Sequence, residues 1–120
     1  MSKFRNNRKG FTLIEIMIVV LIIGILLAIA IPNFMKARET SRTKACIANL
    51  KEIDTAKEQL AMDTHLSNGG DCAMTDLVGA DAYIKNTPIC PSGTGVYTPS
   101  VIGTSPVCPN VATNALHVLP

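Results

Sequence analysis

The stretch GFTLIEIMIVVLIIGILLAIAIP, residues 10–32, decides how this chain is read. From Ile16 to Ile31, sixteen residues pass without a polar side chain. Phe11 to Phe34 is 24 residues, or about 36 Å of helix at 1.5 Å per residue, against a hydrocarbon core of about 30 Å. A membrane-crossing helix is therefore predicted over residues 11–34. Gly24 and Pro32 are expected to weaken it locally, Pro32 by removing one backbone hydrogen bond and kinking the axis. One carboxylate, Glu15, stands at the fifth position of this segment. A carboxylate near the bilayer centre is penalised by about 2.5–3.5 kcal/mol, so Glu15 calls for a cation. A cut between Gly10 and Phe11 would create one, the new amino terminus of Phe11. That ammonium reaches the Glu15 of an axially displaced neighbour more easily than its own. A buried polar pair of this kind sets register between subunits.

Upstream, residues 1–10 (MSKFRNNRKG) carry Lys3, Arg5, Arg8 and Lys9 and no acid. They read as a cytoplasmic leader, since positive charge beside a membrane segment stays inside. The net charge of +2 belongs to this leader. Four of the eleven Lys and Arg lie there, leaving seven bases against all nine acids in the rest. Nothing in that remainder points to nucleic acid as a partner. A second basic group, Lys36, Arg38, Arg42 and Lys44, follows the apolar run and suits lipid headgroups or solvent.

Downstream, Ile47, Leu50, Ile53, Ala56 and Leu60 recur at helical steps and predict an amphipathic continuation over residues 35–63. With no break in period, the two halves form one helix of about 80 Å, half in lipid and half out. Lys44, Lys51, Glu52, Glu58 and Gln59 take the other sides, and Asp54 is placed to pair with Lys57 for about 0.2–0.5 kcal/mol. Ser67-Asn68-Gly69-Gly70 stops the pattern. Residues 64–120 read as a small C-terminal region. A short helical turn or loop is expected between Asp76 and Lys85, short strands at Gly95–Thr98 and Val101–Ile102, and a turn at Gly103–Pro106. With five aromatics and no Trp in the chain, such a region has few large anchors and needs staples.

The four cysteines are the natural staples. Pro88-Ile89-Cys90-Pro91 recurs eighteen residues later as Pro106-Val107-Cys108-Pro109. This predicts two extended segments laid side by side and joined by Cys90–Cys108. Cys46–Cys72 follows by elimination from three possible connectivities, and the eighteen-residue loop would add about 3 kcal/mol. No pair is spaced C-x-x-C, and His65 and His117 lie at no ligand-like spacing, which argues against zinc. Both histidines are expected at the surface. Asp71, Asp76 and Asp81 recur every five residues, a spacing that fits no calcium loop. No Ser/His/Asp or Cys/His arrangement or phosphate loop is recognisable, so the chain reads as a structural protein without a cofactor rather than an enzyme.

The run Lys9-Gly10-Phe11-Thr12-Leu13-Ile14-Glu15, with the apolar segment after it, closely resembles the prepilin signature of type IV pilins and type II secretion pseudopilins. The resemblance implies that a membrane-bound aspartic peptidase cuts after Gly10 and that Phe11 is then N-methylated. It implies that Glu15 serves filament assembly and that Pro32 is the helix-kinking proline. The Cys-Pro-Ser-Gly tail is similar to a pseudopilin-like subgroup with a cysteine-closed C-terminal hairpin. The calcium site of major pseudopilins does not carry over, because no Asp or Glu follows Asp81.

Residues and resemblance together predict an α+β fold: a long N-terminal helix, transmembrane then amphipathic, bearing a small disulfide-closed C-terminal region with short β strands. They imply a homo-oligomeric helical filament, a prepilin peptidase/methyltransferase, an inner-membrane assembly platform and membrane lipid as partners. The expected location is the bacterial inner membrane, single-pass with a cytoplasmic N-terminus, and then a periplasmic or extracellular filament. Type II secretion is the expected setting, with a surface pilus for adhesion, motility or DNA uptake as the alternative. A reading of another class is a secreted, disulfide-bonded domain released after Ala30, since Ala28-Ile29-Ala30 mimics a signal cleavage site. Glu15 early in the apolar run and the helical pattern continuing past Ala30 both oppose it.

Overall fold

A computed structural model describes residues 9–112 and 115–120. Of the leader expected at residues 1–10, all but Lys9 and Gly10 lies outside the described residues. The first helix, α1, runs Leu13–Thr64 without interruption. Thr12 and Glu15 start it by capping each other. The Thr12 N–H and hydroxyl donate to the Glu15 carboxylate at 2.7 and 2.9 Å, and the Glu15 N–H donates to the Thr12 hydroxyl at 3.4 Å. This reciprocal pattern satisfies two of the unpaired donors at a helix start. α1 continues through Gly24 and Pro32. Pro32 has no N–H to give the Ala28 carbonyl, and next to it the Asn33 side-chain amide donates to the Ile29 carbonyl at 3.2 Å.

The chain divides into two units, Met1–Ala37 and Arg38–Pro120. In the first, every described residue is exposed. α1 is long and apolar enough to cross a membrane, and nothing within the apolar window is buried.

The second unit has its own core. Cys46, Leu50, Ile53 and Ala56 on one face of α1 pack with Leu77, Ile84, Cys90, Tyr97 and Cys108. Lys57 lies on that face too. It is not a solvent-side partner for Asp54 but is 1 % exposed, and its Nζ donates to the Thr104 carbonyl. A buried ammonium needs such an acceptor. α1 ends in a left-handed cap: His65 has φ 55°, and the Leu66 N–H donates to the Ala61 carbonyl at 3.0 Å. A second helix, α2, is one turn, Met74–Leu77.

The expected strands do not form among the described residues. Three isolated bridges stand in their place: Val78 with Ile84 (parallel), Ile89 with Val96 and Thr98 with Val107 (both antiparallel). Ladders cannot extend because Pro88, Pro91, Pro106 and Pro109 bracket the paired residues and supply no N–H. Nor is the region closed by disulfides; Cys46, Cys72, Cys90 and Cys108 are all free thiols.

The left-handed cap yields a prediction. A β-carbon at this φ costs about 1–2 kcal/mol, which glycine avoids at some entropic cost in the unfolded chain. His65→Gly should therefore raise the unfolding free energy by about 1 kcal/mol in urea denaturation of the detergent-solubilised chain. A lowered midpoint would contradict the cap.

Candidate functional site

Two places carry chemistry. The first is the start of α1. Phe11 is 85 % exposed and Glu15 sits one turn beyond it. The Thr12 cap occupies one oxygen of the Glu15 carboxylate, Oε2, and holds it at the amino end of the helix. The partial positive charge there favours an anion. Glu15 is thus held at the end of the helix where an amine on Phe11 would arise. Sequence reasoning found Glu15 but missed Thr12, although Thr-x-x-Glu ahead of an apolar run is a capping-box signature.

The second place lies in the core of the Arg38–Pro120 unit. Cys46 comes from α1. Cys90 and Cys108 arrive on the two Pro-x-Cys-Pro segments, which do not pair with each other as expected. The residue ahead of each cysteine instead bridges to one intervening stretch, Ile89 to Val96 and Val107 to Thr98. Each cysteine then opens a tight turn with proline at its second position: the Gly93 N–H donates to the Cys90 carbonyl at 3.4 Å and the Val111 N–H to the Cys108 carbonyl at 3.2 Å. Asn49 fastens the assembly to α1, donating to the Ile89 carbonyl and the Tyr97 hydroxyl, both at 3.2 Å.

The result is a cluster of three sulfurs and one imidazole. Cys46 Sγ lies 3.3 Å from Cys108 Sγ, which lies 3.5 Å from Cys90 Sγ. His117 turns Nδ1 toward them, 3.6 Å from Cys108 Sγ and 3.9 Å from Cys90 Sγ. His117 is therefore not a surface residue but 0 % exposed. Its other nitrogen, Nε2, faces the hydroxyls of Thr43 at 3.4 Å and Ser92 at 3.5 Å. Cys72 is not among these atoms, so the fold does not assemble the expected Cys46–Cys72 pair. His65, by contrast, is exposed.

Donors surround the sulfurs. The backbone N–H of Ser92 faces Cys90, the backbone N–H of Asn110 faces Cys108, and the Tyr97 hydroxyl faces Cys46. Burial pushes the Cys108 thiol up to about 12, the neighbouring thiols adding to it and the Asn110 N–H opposing. At Cys90 burial also pushes upward, but its hydrogen bonds outweigh that and the thiol lies below its ordinary value. Linear spacing does not reveal this cluster because its members come from four separate segments. The repeated Pro-x-Cys-Pro was the available signal; His117 had none.

Comparison with known proteins bears on the first place. The prokaryotic N-terminal methylation motif matches residues 5–31. The chain is 36% identical over 87 residues to the competence protein ComGC of Bacillus subtilis, covering 72% of this chain and 85% of that protein. It is 28% identical over 100 residues to the type II secretion system core protein G of Escherichia coli, covering 73% and 69%. Over 57 residues it is 54% identical to the type IV major pilin protein PilA of Myxococcus xanthus, covering 48% of this chain and 26% of that pilin. No solved structure matches the chain.

Packing around the two turns makes a test. Gly95 has φ +139°, and a β-carbon there would meet the Pro109 ring at 2.9 Å. Gly95→Ala should lower the unfolding free energy by about 2 kcal/mol, combining backbone strain with a clash against a rigid ring. An unchanged urea midpoint would show that the turns do not pack this way.

Proposed function

The chain belongs to the type IV pilin and type II secretion pseudopilin family, and from that membership we propose that it is a filament subunit whose apolar helix passes from lipid into contact with copies of itself. The carrying observation is the exposed apolar run that ends in one capped carboxylate. Leaving a large aliphatic side chain in water forfeits about 1.5–3 kcal/mol. Over Ile16–Ile31 that sums to tens of kcal/mol, more than the 5–15 kcal/mol that holds a domain folded. A bilayer removes the cost first, and neighbouring helices remove it after assembly.

Cleavage after Gly10 leaves an ammonium on Phe11, and N-methylation of that amine preserves its charge. Glu15 of an adjacent subunit receives it. The Thr12 cap keeps the carboxylate aimed until then, leaving Oε1 for the partner. One wrong step along the axis leaves two charges unpaired in an apolar surrounding, so the pair selects a single stagger. The subunit is held in the inner membrane with its leader in the cytoplasm before assembly, and the filament stands in the periplasm or outside the cell. Its role is structural, with no catalysis of its own.

Secretion by a type II machine is the first setting, supported by likeness to core protein G over most of that protein. A filament for DNA uptake is the second reading, favoured by the higher identity and coverage of the competence protein.

Intact-mass and peptide mass spectrometry of the protein from its native membrane should find a mature chain beginning at methylated Phe11. A chain beginning at Ile31 would make it a secreted domain, and a retained Met1 or Ser2 a plain anchor. Glu15→Ala should still insert and be processed but yield few filaments by electron microscopy. Filaments at the native level from that variant would remove Glu15 from assembly.

A further inference from the structure

We propose that Cys46, Cys90, Cys108 and His117 form a structural zinc site that binds one Zn²⁺ ion tetrahedrally through three thiolates and the Nδ1 atom of His117. The geometry carries this independently of the filament reading. All four ligand atoms lie within 4.8 Å of one another and all four residues are buried. A tetrahedron with zinc–sulfur bonds of about 2.3 Å and a zinc–nitrogen bond of about 2.0 Å has sulfur–sulfur edges of about 3.8 Å and sulfur–nitrogen edges of about 3.5 Å. The measured sulfur separations are 3.3 and 3.5 Å, and the sulfur–nitrogen separations 3.6 and 3.9 Å. These four edges lie within about half an ångström of the tetrahedral values, and the other two are no longer than 4.8 Å.

The surroundings match a metal site in three further respects. A ligating imidazole must be bare at the nitrogen that binds and protonated at the other, and its free N–H ordinarily meets an oxygen. His117 is placed for that arrangement, with Nδ1 toward the sulfurs and Nε2 toward the Thr43 and Ser92 hydroxyls. A polar group from outside the cluster also faces each sulfur: Ser92 N–H at Cys90, Asn110 N–H at Cys108 and the Tyr97 hydroxyl at Cys46. At Cys90 and Cys108 the backbone donor is two residues beyond the cysteine, so the repeated Cys-Pro turn is a repeated device for holding a thiolate. Finally, the four protein ligands complete the coordination and their burial leaves no open position for water, the mark of a structural site.

A disulfide uses the same atoms less well. It would join two of the three sulfurs, require an oxidant to take two electrons, and strand the third sulfur beside a buried imidazole. Zinc binding needs no electron transfer. Three thiols release their protons to solvent, three sulfur lone pairs and one from Nδ1 go to the ion, and the imidazole stays neutral. Soft thiolates in a tetrahedral set select zinc among common divalent ions. The ion would tie α1, both turns and the C-terminal tail at a single point.

The test uses the full chain, without a tag, purified in detergent under reducing, chelator-free conditions. Elemental analysis should find one zinc per chain. Replacement by Co²⁺ should give the intense visible bands of tetrahedral cobalt together with thiolate-to-cobalt charge transfer in the near ultraviolet. Cys108→Ser and His117→Ala should lose the stoichiometric zinc, and Cys72→Ser should keep it. Because the cobalt spectrum is read on the unmodified chain, it does not depend on whether the variants fold. A weak octahedral cobalt spectrum, zinc well below one per chain after incubation with Zn²⁺, or zinc lost equally in Cys72→Ser would overturn the assignment.

Discussion

Sixteen consecutive apolar side chains with no core of their own to enter constrain everything else about this chain. The segment from Ile16 to Ile31 is exposed along its whole length, and the core of the Arg38–Pro120 unit is built from that unit's own residues. In the filament proposed above, lipid and then other copies of the same helix would cover it. Glu15 turns that non-directional demand into a specific one. Apolar packing alone is indifferent to sliding by a turn, whereas a carboxylate paired with an amine is not. The capping interaction with Thr12 gives Glu15 a resting place that costs the helix nothing.

The second unit faces the opposite difficulty. It has a core face on α1 but little bulk to set against it, with Tyr97 the one aromatic ring among its described buried apolar residues. Directional contacts compensate. Asn49, Lys57 and Thr43 all reach from α1 to the C-terminal segments, and the cluster of Cys46, Cys90, Cys108 and His117 stands where a large hydrophobic side chain would otherwise be needed. Zinc held there would join four segments through bonds stronger than any packing term available to so small a region.

The helix was readable because its signal is local and redundant. Hydrophobic run length, a threefold and fourfold period through Leu50, Ile53 and Ala56, and a Gly-Gly stop each point the same way. Burial of Lys57 was not readable, since a lysine at a boundary position looks the same whether its amine reaches water or a carbonyl such as that of Thr104. The segments around Val96 and Val107 have strand composition, but flanking prolines hold them to single bridges, a consequence legible from Pro88, Pro91, Pro106 and Pro109 only once their partners are known. The cysteine cluster lay furthest from view. Cys90 and Cys108 announce a relationship through their shared prolines, yet Cys46 joins them through the register of α1 and His117 through the path of the tail, neither of which is written in spacing.

Helical reconstruction of assembled filaments, at a resolution that shows side chains, tests the central claim most directly. The account predicts the apolar segment of every subunit packed against its neighbours, with the amine of Phe11 within hydrogen-bond reach of Glu15 on an adjacent copy. Filaments in which Glu15 faces solvent, or in which the segment from Ile16 to Ile31 lies away from other subunits, would contradict it.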